Sequence, residues 1–87
     1  MNVIIRNLPG NTGEHEVRDI LREHGVPVTE VTLTNEGNED VAVAVVALDT
    51  DHVGAEALVR MVDGKHWRGR TLHARTATFF TGEGMNR

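Results

Sequence analysis

Eight consecutive apolar residues, Val41-Ala42-Val43-Ala44-Val45-Val46-Ala47-Leu48, constrain this chain more than any other stretch. The run holds no charge, glycine or proline. It is too short to cross a membrane and has the length of a buried strand. Successive residues of a strand face opposite sides. One side carries Ala42, Ala44, Val46 and Leu48, and the other Val41, Val43, Val45 and Ala47. Both sides are apolar, which predicts a central strand. The small Ala42 and Ala44 would let helices pack closely on one face. What covers the valine face then decides what the chain does.

The 87 residues are enough for one domain with a single small core. With 39% hydrophobic and 25% charged residues the composition is that of a globular chain. There is no Cys, which excludes disulfides and thiolate metal sites. No basic segment precedes an apolar run near Met1, so a signal peptide is not expected, and an intracellular setting, cytoplasmic or nuclear, is. The net charge of −4 argues against polyanion binding, but the charge is unevenly spread. Residues 13–63 carry −9, while residues 64–87 carry +4 through Lys65, Arg68, Arg70, Arg75 and Arg87 against Glu83. The last quarter is a basic region on an acidic body. Scattered, solvated arginines on a hairpin would give the same count.

Around the apolar run the chain alternates strands and helices. Asn2 to Leu8 reads as a strand with Val3 and Ile5 on one side and Ile4 and Arg6 on the other. Pro9-Gly10-Asn11 breaks it, and Thr12 is the expected cap of a first helix. Val17, Ile20, Leu21 and His24 form the apolar face of that helix, which Gly25 and Pro27 stop. Val28 to Thr34 reads as a second strand. The polar loop 35–40 joins it to the apolar run as a hairpin. Thr50 or Asp51 caps a second helix with Ala55, Leu58, Val59 and Val62 inward, and Gly54 weakens its start. A small hairpin turning at Gly69 and a strand from Thr71 to Thr78 complete the domain, residues 1–78. Residues 79–87 form a tail, expected to be flexible or folded over the sheet.

The order β-α-β-β-α-β with right-handed crossovers predicts a ferredoxin-like α+β sandwich. Both helices lie on one face of a four-stranded antiparallel sheet, with the first and third strands central.

Three stretches resemble the RNA recognition motif family. Val3-Ile4-Ile5-Arg6-Asn7-Leu8-Pro9 is similar to its strand-1 hexamer, and Val17 to Gly25 to its first helix. Asp63-Gly64-Lys65-His66-Trp67-Arg68-Gly69-Arg70-Thr71-Leu72 is similar to its approach to the last strand, and is the most specific of the three. The resemblance spans residues 2 to 78 and implies single-stranded RNA binding. The family stacks bases on sheet aromatics in strands 1 and 3. Here those positions are Ile4, Val43 and Val45, and the chain has no Tyr. Stacking contributes about 1–3 kcal/mol per base, and aliphatic side chains have no π-face to supply it.

The expected binding residues are therefore Arg6 and Arg75 for phosphates or base stacking, His73 for stacking, and Lys65, Arg68 and Arg70 on the basic hairpin. Phe79 and Phe80, just past the last strand, would contact RNA or cover the aliphatic patch of Ile4, Val43 and Val45. The alternative is a protein-interaction or homodimerising module that uses the aliphatic sheet face. A small-ligand regulatory domain of the same architecture is a lesser alternative. Trp67 is expected to pack over the end of the second helix. Neither enzymatic activity, a metal, a cofactor nor a membrane partner is expected. The chain has no Cys or Ser nucleophile, and its five His fall on separate elements without metal-ligand spacing.

Overall fold

A computed structural model describes residues 1–23, 25, 28–35 and 40–77 of the chain. The elements are β1 (Asn2–Pro9), α1 (Glu14–Arg22), β2 (Val28–Thr34), β3 (Val41–Leu48), α2 (His52–Val62), β4 (His66–Trp67), β5 (Arg70–Thr71) and β6 (His73–Ala77). Four strands form one antiparallel sheet in the order β2-β3-β1-β6. This is the ferredoxin-like arrangement that the element order implies, with β1 and β3 at the centre.

The apolar octet is β3 along its whole length. Ala42, Ala44, Val46 and Leu48 face the helices and are buried there. They meet Val17, Ile20 and Leu21 of α1 and Ala55, Leu58 and Val62 of α2 in one core. The two alanines admit the helices, as their size predicts. His24, placed by periodicity on the same helix face, lies outside the described residues.

The alternation of β1 is interrupted. Ile5 pairs with Ala44 and Leu8 with Ala42, so three residues of β1 span two of β3. The extra residue is a bulge, and Asn7 takes it up at φ 68°. Unbroken alternation from Val3 would point Leu8 away from the helices. The bulge turns it inward, where it is fully buried beside Val3 and Ile5. Asn is among the few side chains that tolerate a left-handed backbone. Its amide also ties the bulge to the hairpin: Nδ2 donates to the Thr71 carbonyl at 2.9 Å, and Oδ1 accepts from Arg70 Nη1 at 3.2 Å.

Three local expectations change. Thr12 does not cap α1. Its hydroxyl donates to the Pro9 carbonyl at 2.6 Å within the preceding turn. Gly13 is the N-cap, and its N–H is taken by the Glu16 carboxylate at 2.9 Å. The last strand is split. Arg70 and Thr71 pair with His66 and Trp67 around a turn with Arg68 at φ 50° and Gly69 at φ 80°. Leu72 then exchanges backbone bonds with Gly64 and Lys65, both at 2.8 Å, before β6 joins β1. Finally, Gly54, a poor helix former, sits where a larger residue would meet Thr50. Asp51 caps the helix through the Gly54 N–H at 2.9 Å, and Thr50 lies against the glycine. A Cβ there would clash with Thr50 Oγ1 and sit 3.2 Å from its Cβ.

Two stability predictions follow from these contacts, each checked by urea unfolding. Gly54→Ala gains about 1 kcal/mol of helix propensity but overpacks Thr50 by about 1–3 kcal/mol. The single variant is expected to be no more stable than the parent, whereas the same change in a Thr50→Ala background is expected to stabilise. Stabilisation in both backgrounds would show that Thr50 does not govern the site. Asn7→Ala loses two hydrogen bonds and acquires left-handed strain, about 2–4 kcal/mol together. Asn7→Gly, which escapes the strain, is expected to lose about 1 kcal/mol less. Equal losses would remove backbone strain from the account.

Candidate nucleic-acid interface

The pairing registers lay out the side of the sheet turned away from the helices. Ile4 stands between Val45 on β3 and Arg75 on β6, and Val45 stands opposite Thr32 on β2. One residue pair further along, Arg6 is opposite His73, and Val43 is opposite Thr34. The face thus has an aliphatic middle, a basic flank along β1 and β6, and a hydroxyl-bearing flank along β2. Glu30 on β2 is exposed and is the acidic counterpart on that far flank.

Arg6, His73 and Arg75 are exposed and, with Ala74, line one shallow open hollow. The side chains of Arg6 and Arg75 have no ion pair or hydrogen bond among the described residues. His73 Nδ1 lies 3.9 Å from Asp63 Oδ1, which also accepts the Ala74 N–H at 3.0 Å. Among the described residues, carboxylate contact therefore reaches one edge of the hollow and leaves both guanidinium groups untouched.

The hairpin cations go elsewhere. Arg68 pairs with Glu16 of α1, and Lys65 Nζ lies 3.8 Å from Glu23. The Arg68 guanidinium also lies over the Trp67 ring, 4.6 Å from its centroid. Trp67 is half-buried against the core and shares a hollow with Glu16, Asp19, Ile20 and Glu23, so its exposed side belongs to α1. Arg70 is held by Asn7 at the end of β1. Of the six cationic or imidazole side chains singled out from the sequence, the structure brings together Arg6, His73 and Arg75. It sends Lys65 and Arg68 to the opposite, helical side. Phe79 and Phe80 lie outside the described residues.

The aliphatic middle is less open than its composition implies. Ile4 and Val45 are half-buried, and Val43 is 7% exposed. Among the described residues the large apolar side chains left exposed are Met1, Val53 and Met61. No group of three or more His, Asp or Glu side chains among the described residues is placed to hold a metal ion, and no helix there is long and apolar enough to cross a membrane. Sequence reasoning passed over Asn7. Its one signal was an amide side chain, tolerant of positive φ, inside an otherwise apolar strand.

The family profile of the RNA recognition motif matches residues 3–73. No curated protein matches the sequence. Among solved structures, the third RNA recognition motif of Pes4 superposes with a TM-score of 0.77 at 22% identity, covering 91% of this chain and 93% of that one. The Rna15 domain with bound RNA (GU) gives 0.73 at 18% identity, covering 90% and 83%. The C. elegans NONO-1 homodimer gives 0.70 at 26% identity, covering 88% of this chain and 28% of that one. The sheet order, the paired helices on one face and the match over most of the chain agree: this chain belongs to the RNA recognition motif family, a non-enzymatic RNA-binding fold.

Proposed function

We propose that this chain binds single-stranded RNA weakly and in a salt-sensitive way, through arginines at the β1–β6 flank of the sheet rather than by aromatic stacking. The observation that carries this is the division of the cations. Arg6 and Arg75 are exposed, diagonal across the β1–β6 pair, and have no carboxylate partner among the described residues. Lys65 and Arg68 are already engaged by α1. A guanidinium without a partner offers bidentate donors to a phosphate and a flat face to a base.

The aliphatic strip beside the arginines gives a base something to lie against but no ring to stack on. Affinity then rests mainly on phosphate neutralisation, which releases counterions. The alternative of docking a protein on the sheet face has less support. Its apolar middle is half-buried or buried, so little apolar area remains to drive association.

The test is the salt dependence of binding to a pool of short single-stranded RNAs, followed by fluorescence anisotropy. Two phosphate contacts give a slope of log K against log salt of about −1.4. Arg6→Ala and Arg75→Ala are each expected to make the slope shallower by about 0.7. Arg68→Ala is expected to leave it unchanged. A slope that responds to Arg68 and ignores Arg75 would move the RNA to the hairpin and overturn the reading. Restoring a ring is expected to raise affinity: Val45→Phe adds a stacking surface beside Ile4, with a gain of about 1–3 kcal/mol, roughly 5- to 150-fold in K. No gain with the fold intact would show that bases do not cross the middle of the sheet.

A further inference from the structure

The solvent side of α2 carries apolar residues that neither the core nor the sheet face uses. Val53 is 71% exposed and Met61 54% exposed, and Ala57 stands midway between them. The spacing i, i+4, i+8 puts the three in one stripe. Buried Ala55, Leu58 and Val62 hold the other side of the helix. Arg60 borders the stripe and has no ion pair among the described residues. Glu56 stands one turn before it, but its carboxylate lies 3.0 Å from His52 instead.

We propose that a second copy of this chain docks on this stripe, with the two α2 helices antiparallel and crossing at Ala57. The pattern is complementary to itself. A two-fold axis at Ala57 places residues four before and four after the crossing opposite each other. Val53 then meets the partner's Met61, and Met61 the partner's Val53. The small Ala57 side chains let the backbones approach. Glu56 and Arg60 lie on the same flank of the helix. The same axis puts Arg60 opposite the partner's Gly54, and its long side chain reaches two residues along the partner helix to meet the partner's Glu56, as Glu56 meets the partner's Arg60. The stripe thus supplies both apolar pairs and opposite charges to an identical surface, as an isologous interface requires.

The interface is small. An 11-residue helix is about 16 Å long, and a single helix pair buries less than the ~1,200 Å² of a stable complex. Association is therefore weak, with a Kd on the order of 100 μM to 1 mM. The stripe lies on the helical side of the sheet, so the pairing leaves Arg6 and Arg75 free in both copies. It stands or falls independently of RNA binding.

The experiment is sedimentation equilibrium and amide chemical shifts of the full chain without RNA, from about 20 μM to about 1 mM, a range set by the expected Kd. A rising average mass is expected, with concentration-dependent shifts confined to α2. Met61→Glu, at an exposed position, is expected to weaken association on the order of tenfold or more with unchanged circular dichroism. Arg60→Glu alone is expected to weaken it, and Arg60→Glu with Glu56→Arg to restore it. A mass independent of concentration overturns the proposal. So do shifts that map to β1 and β3, and so does failure of the double charge swap to rescue, which would leave only nonspecific apolar contact.

Discussion

The antiparallel pairing of β1 with β3 decides which side of the molecule everything else falls on. Ile5 against Ala44 and Ile4 against Val45 are successive pairs with opposite orientations. The first pair lies under the helices and the second on the open face. A slip of one residue would exchange the two sets and place arginine in the core. The apolar side chains on both faces of β3 leave no polar face to prefer solvent, so register rests on size. Ala42 and Ala44 leave room for the helices, and Val46 and Leu48 fill the core beside them. The Asn7 bulge then reverses the phase of β1 for its last turn. Leu8 joins the core while Arg6 stays outside.

Charge is partitioned by the same frame. The acidic body and the basic last quarter do not stand apart in space. Arg68 and Lys65 fold toward α1, where they meet Glu16 and the C-cap residue Glu23. These pairs are partly exposed, and each contributes little to stability, about 0–1 kcal/mol. Their effect is on which cations remain available. A guanidinium next to a carboxylate must lose that partner before it binds a phosphate, and Arg6 and Arg75 have no such partner among the described residues.

Much of this was legible in the sequence. The apolar octet, its flanking strands, a cap at Thr50 or Asp51 and the two helical faces follow from periodicity and turn chemistry, and together they give the sheet order. The less legible features depend on contacts distant in the chain. Nothing within Asn2 to Pro9 says that a bulge is needed; it arises because Leu8 must reach a core built from other elements. Counting charges along residues 64–87 could not show that α1 neutralises two of them, because Glu16 and Glu23 are some 40 to 50 positions away. Gly54 reads as a helix breaker until Thr50 is seen against it. The stripe on α2 escaped notice because the inward face of that helix is equally apolar.

The hairpin's attachment to α1 also makes the electrostatic character of that flank conditional. Two carboxylates on a helix remote from the open face hold two cations in balance. The charge beside Trp67 is thus set by carboxylates from the far end of the chain, and substitutions at Glu16 and Glu23 would alter it without any change to the sheet.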